Sequence, residues 1–507
     1  MARRPNFLIF CVDQMQSYSI GAHGNTDVKT PTLDHLAHEG TTFHRAYCVN
    51  PVCMPSRSSI ITGLTPRQHG ALTNGTPLPE NIPTVPGALA EAGYRTHSVG
   101  KLHLQSWMGK GPHRNVPNIP FSWEDEVRWH EGEIKSLPHP YYGFQSTDFL
   151  GGHVDYVHGD YVTWLLREHP GTYEKLRREN ATQMVEGFKR CWQLSIPQEL
   201  HYNNWIAERT MAFLDGHDAA QNFFLWCSFP DPHYPFAACY PYSEMYDPAS
   251  LSLSPTRNDA GDALPHLADK RKNYSGGTGV TETELSEITA QTYGMISHVD
   301  AQIGRVLEHL ERCGQADNTV VAFMSDHGEY LGAHNLLYKN VWPYEELYRV
   351  PFLWKSPGGA NGFAPNQPVS LLDFAPTVLD YAGVPESVMD MRKYGHAQRP
   401  TLPGCSLRQS IDTGAAPPRR PVLIEFDEDG KSEPMTRMRT VIDGSYKLTI
   451  YSGMEAGLLF DLDKDPGESV NRWDDSAYRD VRCGLLEKLV SELARTDRLD
   501  VARISGA

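Results

Sequence analysis

Residues 50–63 read NPVCMPSRSSIITG and place a cysteine, a proline and an arginine within five positions, as Cys53, Pro55 and Arg57. Proline suits the first turn of a helix, so Cys53 is predicted to lie just before a helix N-terminus, with Arg57 about one turn further on. Free N–H groups at such a start attract negative charge. The stretch therefore favours an anionic nucleophile or an anionic substrate. A small buried core thiol is the alternative.

Polar side chains that could do chemistry also follow four predicted strands. Residues 6–12, 94–99, 223–229 and 319–324 form these strands, and three of them are short apolar runs typical of buried parallel strands. The residues after them are Asp13, Gln14, Lys101, His103, His233, Asp326 and His327. Ligands gather at the carboxyl ends of parallel strands, and carboxylate and amide oxygens there suit a divalent cation. For Asp13 alone, a loop-capping aspartate is the alternative.

Five short motifs resemble the sulfatase family of the alkaline phosphatase superfamily. They are C-x-P-S-R at 53–57, T-G-L-T-P at 62–66, G-K-x-H at 100–103, P-H-x-P-F at 232–236 and S-D-H-G-E at 325–329. The resemblance follows the family's motif order over nearly the whole chain, and is weakest over residues 106–197. Gln14 departs from the family's usual acidic pair and matches the phosphonate monoester hydrolase branch.

The resemblance implies a complete catalytic site. A maturation enzyme would convert Cys53 to formylglycine, whose hydrate is the nucleophile, and one divalent ion, Ca²⁺ or Mn²⁺, would be bound. Its ligands would be Asp13, Gln14, Asp326, His327 and modified Cys53. Arg57, Lys101, His233 and Lys339 would neutralise the transferred group, with His233 or Lys339 protonating the leaving oxygen. His103 would take the second hydroxyl's proton. Asn74 would face the transferred group, although Asn74-Gly75 is equally typical of a turn.

These residues predict hydrolysis of sulfate monoesters, either aryl or small alkyl sulfates. A phosphonate monoester or phosphodiester hydrolase with the same site is the first alternative; Gln14 and His327 favour it, whereas Lys101 and His103 oppose it. A non-catalytic binder of sulfated ligands is the remote alternative. The full set of cationic and metal-binding residues argues against that reading.

The order of helical and apolar segments predicts an α/β fold. The expected architecture is a large, mostly parallel mixed sheet sandwiched by helices, resembling alkaline phosphatase, over residues 1–384. Residues 385–418 would be a linker, and residues 419–507 a smaller α+β subdomain with an antiparallel sheet and a terminal helix. Residues 106–197 would be an insertion that walls the active site. Within it, His153 and Asp155 could form a second metal site, but we favour the wall.

Composition limits the partners. The chain has 46 Lys+Arg against 62 Asp+Glu, a formal charge of −16, which argues against broad nucleic-acid binding. The apolar run at 7–12 is too short for a signal segment, and no span approaches a membrane helix, so we expect a cytoplasmic protein. Nine cysteines without regular spacing fit reduced thiols. The expected partner is a small sulfate ester, and a homo-oligomer is possible.

Overall fold

The computed structural model describes residues 4–108, 121–259, 264–273, 279–390, 402–428 and 436–497. Its strands are β1 Asn6–Val12, β2 Thr41–Thr42, β3 Ala46–Tyr47, β4 Arg95–Gly100, β5 Ser146–Gly151, β6 His158–Gly159, β7 Gln183–Met184, β8 Trp192–Gln193, β9 Phe223–Ser228, β10 Thr319–Ser325, β11 Arg349–Val350, β12 Phe352–Lys355, β13 Val369–Ser370, β14 Val422–Asp427, β15 Arg437–Asp443, β16 Tyr446–Tyr451 and β17 Leu458–Asp461.

The α-helices are α1 Pro31–His38, α2 Cys53–Thr62, α3 Pro66–His69, α4 Val85–Glu91, α5 Glu126–His130, α6 Asp160–Glu168, α7 Tyr202–Gly216, α8 Pro265–Asn273, α9 Glu282–Arg312, α10 Glu345–Tyr348, α11 Phe374–Ala382, α12 Arg408–Thr413 and α13 Arg479–Thr496. The longest of them, α9, begins with the capping box of Thr281 and Glu284 that its sequence predicts.

The large sheet has eight strands in the order β2-β12-β10-β1-β9-β4-β5-β6. Its five central strands, from β10 to β5, are parallel, whereas β12, β2 and β6 pair antiparallel. Side chains of β1 alternate between two cores, with Phe7 and Ile9 in one and Leu8 and Phe10 in the other. Both faces of the sheet are therefore covered, which explains the continuous apolar sequence of β1. The predicted α/β fold class is confirmed.

The C-terminal sheet is antiparallel, in the order β14-β15-β16-β17. Leu485 and Leu489 of α13 pack against Val441 and Leu448 on one of its faces. The opposite face, which includes Ile424, contributes to a core shared with the large sheet. This is the predicted C-terminal region, packed against the rest of the chain.

Two local expectations need correction. Cys53 is the first residue of α2 rather than the residue before it, since Val52 is the extended N-cap residue. Residues 106–197, expected to be an insertion that walls the active site, also contribute a strand to the large sheet, because β5 lies within them and pairs in parallel with β4. The half-polar sequence STDFLG of β5 does not stand out as a buried strand.

Residues 391–401 of the expected linker lie outside the described residues.

Candidate active site and metal centre

The polar residues that follow the parallel strands meet at one edge of the large sheet. Asp13 and Gln14 follow β1, Lys101 follows β4, and Asp326 follows β10. The Asp326 N–H donates to the carbonyl oxygen of Val12 at 3.2 Å, which joins the ends of β1 and β10 directly. Helix α2 supplies Cys53 and Arg57 from the neighbouring core. The carboxyl edge of the sheet is therefore the candidate site, as the topology of such sheets requires.

Cys53 lies at the centre of this group. Its Sγ is 2.9 Å from Lys339 Nζ, 3.2 Å from His327 Nε2 and 3.5 Å from Asp13 Oδ1. Burial and the Asp13 carboxylate raise the pKa of the Cys53 thiol, against the opposing effect of Lys339 and Lys101. The unmodified side chain is therefore a neutral thiol at neutral pH, and a weak nucleophile.

Four side chains at this site could hold a metal ion. One ligand atom each from Asp13, Cys53, Asp326 and His327 lies within 4.8 Å of the other three, and all four residues are buried. His327 Nδ1 lies 2.9 Å from the carbonyl oxygen of Gly328, which only accepts, so Nδ1 carries the proton. The Nε2 lone pair therefore faces Cys53 and Asp13. Burial and Lys339 lower the pKa of His327 to about 4, which keeps this ligand neutral.

The position where these ligands converge already accepts a positive charge. Lys339 Nζ lies 3.0 Å from Gln14 Oε1, 2.9 Å from Cys53 Sγ and 3.1 Å from His327 Nε2. Burial opposes the charge, but Cys53 and Asp13 outweigh burial and raise the pKa of Lys339 above its usual range. Three expected metal ligands thus direct lone pairs at one cation, so the residues present fit a divalent ion.

Arg57 and Lys101 balance the carboxylates. Arg57 is 1% exposed and donates from Nε to Asp326 Oδ2 at 2.6 Å and from Nη1 to Ser228 Oγ at 2.9 Å. Lys101 Nζ makes a close ion pair with Asp13. Burial alone would raise the pKa of Asp13, but the charges of Lys101 and Arg57 hold it well below its usual range. Arg57 thus braces the carboxylates that could hold a metal ion, as well as adding positive charge.

His233 lies in the loop after β9 with a fixed tautomer. Its Nδ1 donates to the carbonyl oxygen of Tyr234 at 2.5 Å, so its Nε2 accepts from Lys339 Nζ at 3.0 Å. Burial, His153 and Lys339 hold the pKa of His233 well below its usual range. His233 is therefore a neutral acceptor beside the ammonium group of Lys339.

His103 and Asn74 lie at the edge of the site. His103 is buried and has a left-handed backbone (φ 56°), and its ring contacts Trp107 edge to face. Neither ring nitrogen of His103 has a hydrogen-bond partner among the described residues. Asn74 is exposed, and its Oδ1 accepts from the Met54 N–H at 3.1 Å, so it caps the first turn of α2. The structure brings Asn74 to Cys53 through this helix start rather than through a direct contact.

Two residues that the sequence analysis names without assigning them to this site also belong to it. His153 follows β5 and lies 3.0 Å from Lys101 Nζ through its Nε2. Glu329, quoted only as part of a motif, accepts a close hydrogen bond from Gln14 Nε2. The Gly151-Gly152 pair before His153 was the available signal, since the half-polar sequence of β5 does not reveal the strand that precedes it. In the described part of the chain, no group of metal-ligating side chains includes His153 or Asp155, so nothing there supports the less favoured alternative of a second metal site.

His201, Cys239 and His298 form a second buried group with metal-ligating atoms. His201 Nδ1 accepts from the Asn203 N–H at 3.2 Å. A neutral imidazole that accepts at Nδ1 carries its proton on Nε2, so neither nitrogen of this ring offers a free lone pair. This group is not a ready metal site.

The arrangement of these side chains is typical of a class of enzyme. A nucleophile position at a helix start, a metal-binding set and two lysines converge at one sheet edge, which suits transfer of an anionic group from an ester. The sulfatase family model matches residues 5–384. The model of the N-sulphoglucosamine sulphohydrolase C-terminal region matches residues 332–495. The chain belongs to the sulfatase family, and the predicted enzyme class, a sulfuric ester hydrolase, is confirmed.

Individual relatives span nearly the whole chain. An arylsulfatase of Clostridium perfringens is 29% identical over 97% of this chain and 94% of its own length. The multifunctional alkaline phosphatase superfamily protein PehA of Trinickia caryophylli is 28% identical over 98% and 96%. The crystal structure of a phosphonate monoester hydrolase of Agrobacterium radiobacter is 26% identical, with a TM-score of 0.77 over 97% of this chain and 96% of that one. In the described part of this chain, no helix has the length and apolar composition to cross a membrane.

Proposed function

We propose that this protein hydrolyses sulfate monoesters, aryl sulfates foremost, through a formylglycine made from Cys53 and one divalent metal ion. The position of Cys53 carries the proposal, since its Sγ lies within 3.5 Å of Lys339, His327 and Asp13 atoms. Asp13, Gln14, Asp326, His327 and modified Cys53 would hold the ion, either Ca²⁺ or Mn²⁺. A formylglycine-generating maturation enzyme is the implied partner.

Conversion of Cys53 to formylglycine would replace a weak nucleophile with a stronger one. The raised pKa of the buried Cys53 thiol makes it a weak nucleophile at neutral pH. When present, the formylglycine hydrate supplies an oxygen nucleophile, and the metal ion supplies Lewis-acid polarisation. The other side chains of the site would bind and orient the substrate and exchange protons with it.

Two lysines of the site, Lys101 and Lys339, would bind the transferred group. Lys101 pairs with Asp13, and Lys339 contacts Cys53 directly. Ammonium groups fixed in a buried site stabilise charge that develops on sulfuryl oxygens in the transition state. Lys339 also donates to His233 Nε2, so a proton on this pair would be available to the leaving oxygen.

His103 is the proposed base for the second step. It is buried, and burial together with Lys101 lowers its pKa well below the usual value, so its imidazole is neutral and able to accept a proton. We expect His103→Ala to slow breakdown of the sulfated enzyme more than its formation, by roughly 10²–10⁴-fold. Sulfated Cys53 peptide should then accumulate, with a burst of leaving group. Turnover of His103→Ala at the wild-type rate would remove this role.

Aromatic side chains at the mouth of the site support an aryl substrate. Trp107 contacts the rings of His103, His153 and Tyr156 at centroid distances of 6.1–6.5 Å. Tyr156 is 49% exposed, so this aromatic surface reaches solvent. Aromatic faces stack on flat apolar leaving groups.

A phosphonate monoester hydrolase with the same site is the second candidate. The similarity to the Agrobacterium radiobacter enzyme favours it, as do Gln14 and His327 at the metal-binding set. Lys101 is the observation against it. Lys101 pairs with Asp13 and supplies a cation that, in the sulfatase proposal, binds the transferred sulfuryl group. The two candidates differ in preferred substrate, and both require the same modification.

Parallel steady-state assays separate these candidates. Protein from a host with the maturation enzyme should turn over 4-nitrophenyl sulfate with a higher kcat/KM than 4-nitrophenyl phenylphosphonate or bis(4-nitrophenyl) phosphate. The Cys53 tryptic peptide should be about 18 Da lighter than its cysteine form. A preference for the phosphonate would replace the sulfatase proposal with the second candidate. Full activity with unmodified Cys53 would overturn both.

A further inference from the structure

Two lysine–histidine pairs lie side by side at the site. Lys101 Nζ is 3.0 Å from His153 Nε2, and Lys339 Nζ is 3.0 Å from His233 Nε2. The rings of His153 and His233 stack with centroids 3.5 Å apart and planes 8° apart. A continuous chain of contacts therefore links one lysine to the other through the two imidazoles.

The tautomers of both rings follow from their lysine contacts. A lysine ammonium group only donates, so Nε2 of each histidine is an acceptor and the ring proton is on Nδ1. His153 is 6% exposed and His233 is 5% exposed. Two neutral rings can stack at this separation, whereas two imidazolium rings would repel each other in a buried site. The observed geometry thus requires a neutral histidine at both positions.

His153 also acts on the charge around Asp13. Lys101 makes its ion pair with Asp13 and its hydrogen bond with His153 through the same Nζ. Without an acceptor at residue 153, the ammonium group would be held by Asp13 from one side alone. His153 therefore fixes the direction of Lys101 as well as the ring position of His233.

We propose that His153 is a positioning residue that sets the separation and direction of Lys101 and Lys339, the two ammonium groups that bind the transferred sulfuryl group. This inference rests on the proposed function for the identity of that group. The role of His153 in oxyanion binding does not depend on that identity, because it concerns how a tetrahedral oxyanion is held between two fixed cations. Inorganic sulfate is such an oxyanion and needs no turnover to bind.

Three substitutions separate the two contacts of His153. His153→Phe keeps an aromatic face for His233 but gives Lys101 no acceptor. His153→Gln keeps an acceptor near the Nε2 position but has no ring to stack. His153→Leu removes both contacts. His130→Gln is the matched control, since His130 is exposed and bonds to Tyr173 and the Glu126 carbonyl.

The first measurements are kcat/KM for 4-nitrophenyl sulfate and the dissociation constant of inorganic sulfate by calorimetry on modified, metal-loaded enzyme. We expect His153→Leu to weaken both by about 10–100-fold, because small misplacement of binding groups has effects of this size. His153→Phe and His153→Gln should each lose less, and His130→Gln should match the wild type. Equal values for wild type and His153→Leu would overturn the proposal.

A double-mutant cycle then distinguishes positioning from a general structural role. In a Lys101→Met background, His153→Phe should cause no further loss of sulfate affinity, because the contact it removes is already absent. Additive losses would overturn the proposal, since they would show that residue 153 acts independently of Lys101. Failure of the wild-type enzyme to turn over any sulfate ester would instead contradict the proposed function, while the sulfate-binding cycle would still test His153.

Discussion

At the scale of single residues, Glu329 decides which end of the Gln14 amide faces the metal-binding group. Gln14 Nε2 donates to Glu329 Oε2, so Gln14 Oε1 points towards Lys339 Nζ at 3.0 Å. Glu329 Oε1 accepts the N–H groups of Leu331, at 3.1 Å, and Tyr338. An amide can offer a metal ion only its oxygen, so this orientation is required for binding.

We therefore expect Glu329→Gln to weaken metal affinity. The new amide oxygen would stay with the two N–H groups, and its nitrogen would face Gln14 Nε2, donor against donor. Gln14 must then turn its own nitrogen towards the metal position, which should cost about 10–100-fold in affinity. Titration calorimetry of metal-free protein with Mn²⁺ and Ca²⁺ measures this. The exposed Glu311→Gln serves as control, and unchanged affinity in Glu329→Gln would contradict the assigned orientation.

Asp326 has a structural role besides its proposed role as a metal ligand. Its Oδ2 accepts from Arg57 Nε at 2.6 Å, and its Oδ1 accepts from the N–H groups of Gln14 and His327 at 3.1 and 2.9 Å. Asp326→Ala would leave buried Arg57 with only the Asp13 carboxylate, which is 3.7 Å away and already paired with Lys101. We expect loss of bound metal and of about 3–5 kcal/mol in the free energy of unfolding.

His327→Ala is the comparison for this prediction. It removes a neutral ligand and leaves the Arg57–Asp326 ion pair in place. It should therefore lose metal too, but less stability than Asp326→Ala. Elemental analysis and urea unfolding measure the two effects separately. Retention of metal by either variant would show that the binding group is assigned wrongly.

At the scale of elements, the sequence predicts the strands whose burial is complete. β1 and β10 are largely apolar runs, so their sequences alone place Asp13 and Asp326 at the strand ends. His153 could not, because β5 has a half-polar sequence and becomes a sheet strand only by pairing with β4. Glu329 is held in place by the Tyr338 N–H, which reaches it only because the chain folds back after Glu329. No local sequence pattern indicates this contact.

Glu124 connects residues 121–197 to the loop after β4. Its Oε1 accepts from the N–H groups of Leu104 and Gln105 at 2.9 and 3.2 Å and from the Tyr141 hydroxyl at 2.9 Å. Burial raises the pKa of Glu124 to about 7, although these hydrogen bonds lower it. The folded protein therefore holds a proton on Glu124 between about pH 4.5 and 7 that the unfolded chain has released.

This difference predicts a pH dependence of stability. A raised folded-state pKa contributes stability below the unfolded pKa that is lost as pH rises through the folded pKa. The Glu124 contribution should fall by about 2–3 kcal/mol between pH 4.5 and 8. Glu124→Gln keeps the accepting oxygen and does not titrate, so its stability should fall less over this range. Urea unfolding of both proteins at pH 5 and 8 measures the difference, and parallel curves would contradict it.

At the scale of the whole molecule, the C-terminal sheet supports the segment that leads into Cys53. The Glu425 N–H of β14 donates to the Val49 carbonyl at 3.0 Å, and Asn50 Nδ2 donates to the Glu425 carbonyl at 2.7 Å. Arg45 Nη2 donates to the Gly444 carbonyl at 2.7 Å. The catalytic edge of the large sheet is thus held from outside as well as from its own strands.

A buried ion cluster fixes this contact. Lys447 of β16 is fully buried and lies 3.0 Å from Glu345 Oε1, with Glu468 as its second close partner. Glu468 Oε2 accepts the Glu345 N–H at 2.7 Å, and Tyr47 donates its hydroxyl to Glu345 Oε2 at 3.0 Å. One lysine therefore separates two carboxylates where the C-terminal sheet meets α10 and the short strand β3.

Removing that lysine should be far more destructive than removing an exposed one. Lys447→Met leaves Glu345 and Glu468 without their shared cation in a buried place, so we expect a loss of about 3–5 kcal/mol in the free energy of unfolding. Arg167→Met is the control, because Arg167 and Glu168 are 70% and 50% exposed and such pairs contribute about 0–1 kcal/mol. Urea unfolding measures both. Equal midpoints for the two variants would show that the cluster does not hold the sheets together; a selective loss in Lys447→Met, together with reduced kcat/KM, would show that the C-terminal sheet supports the catalytic edge.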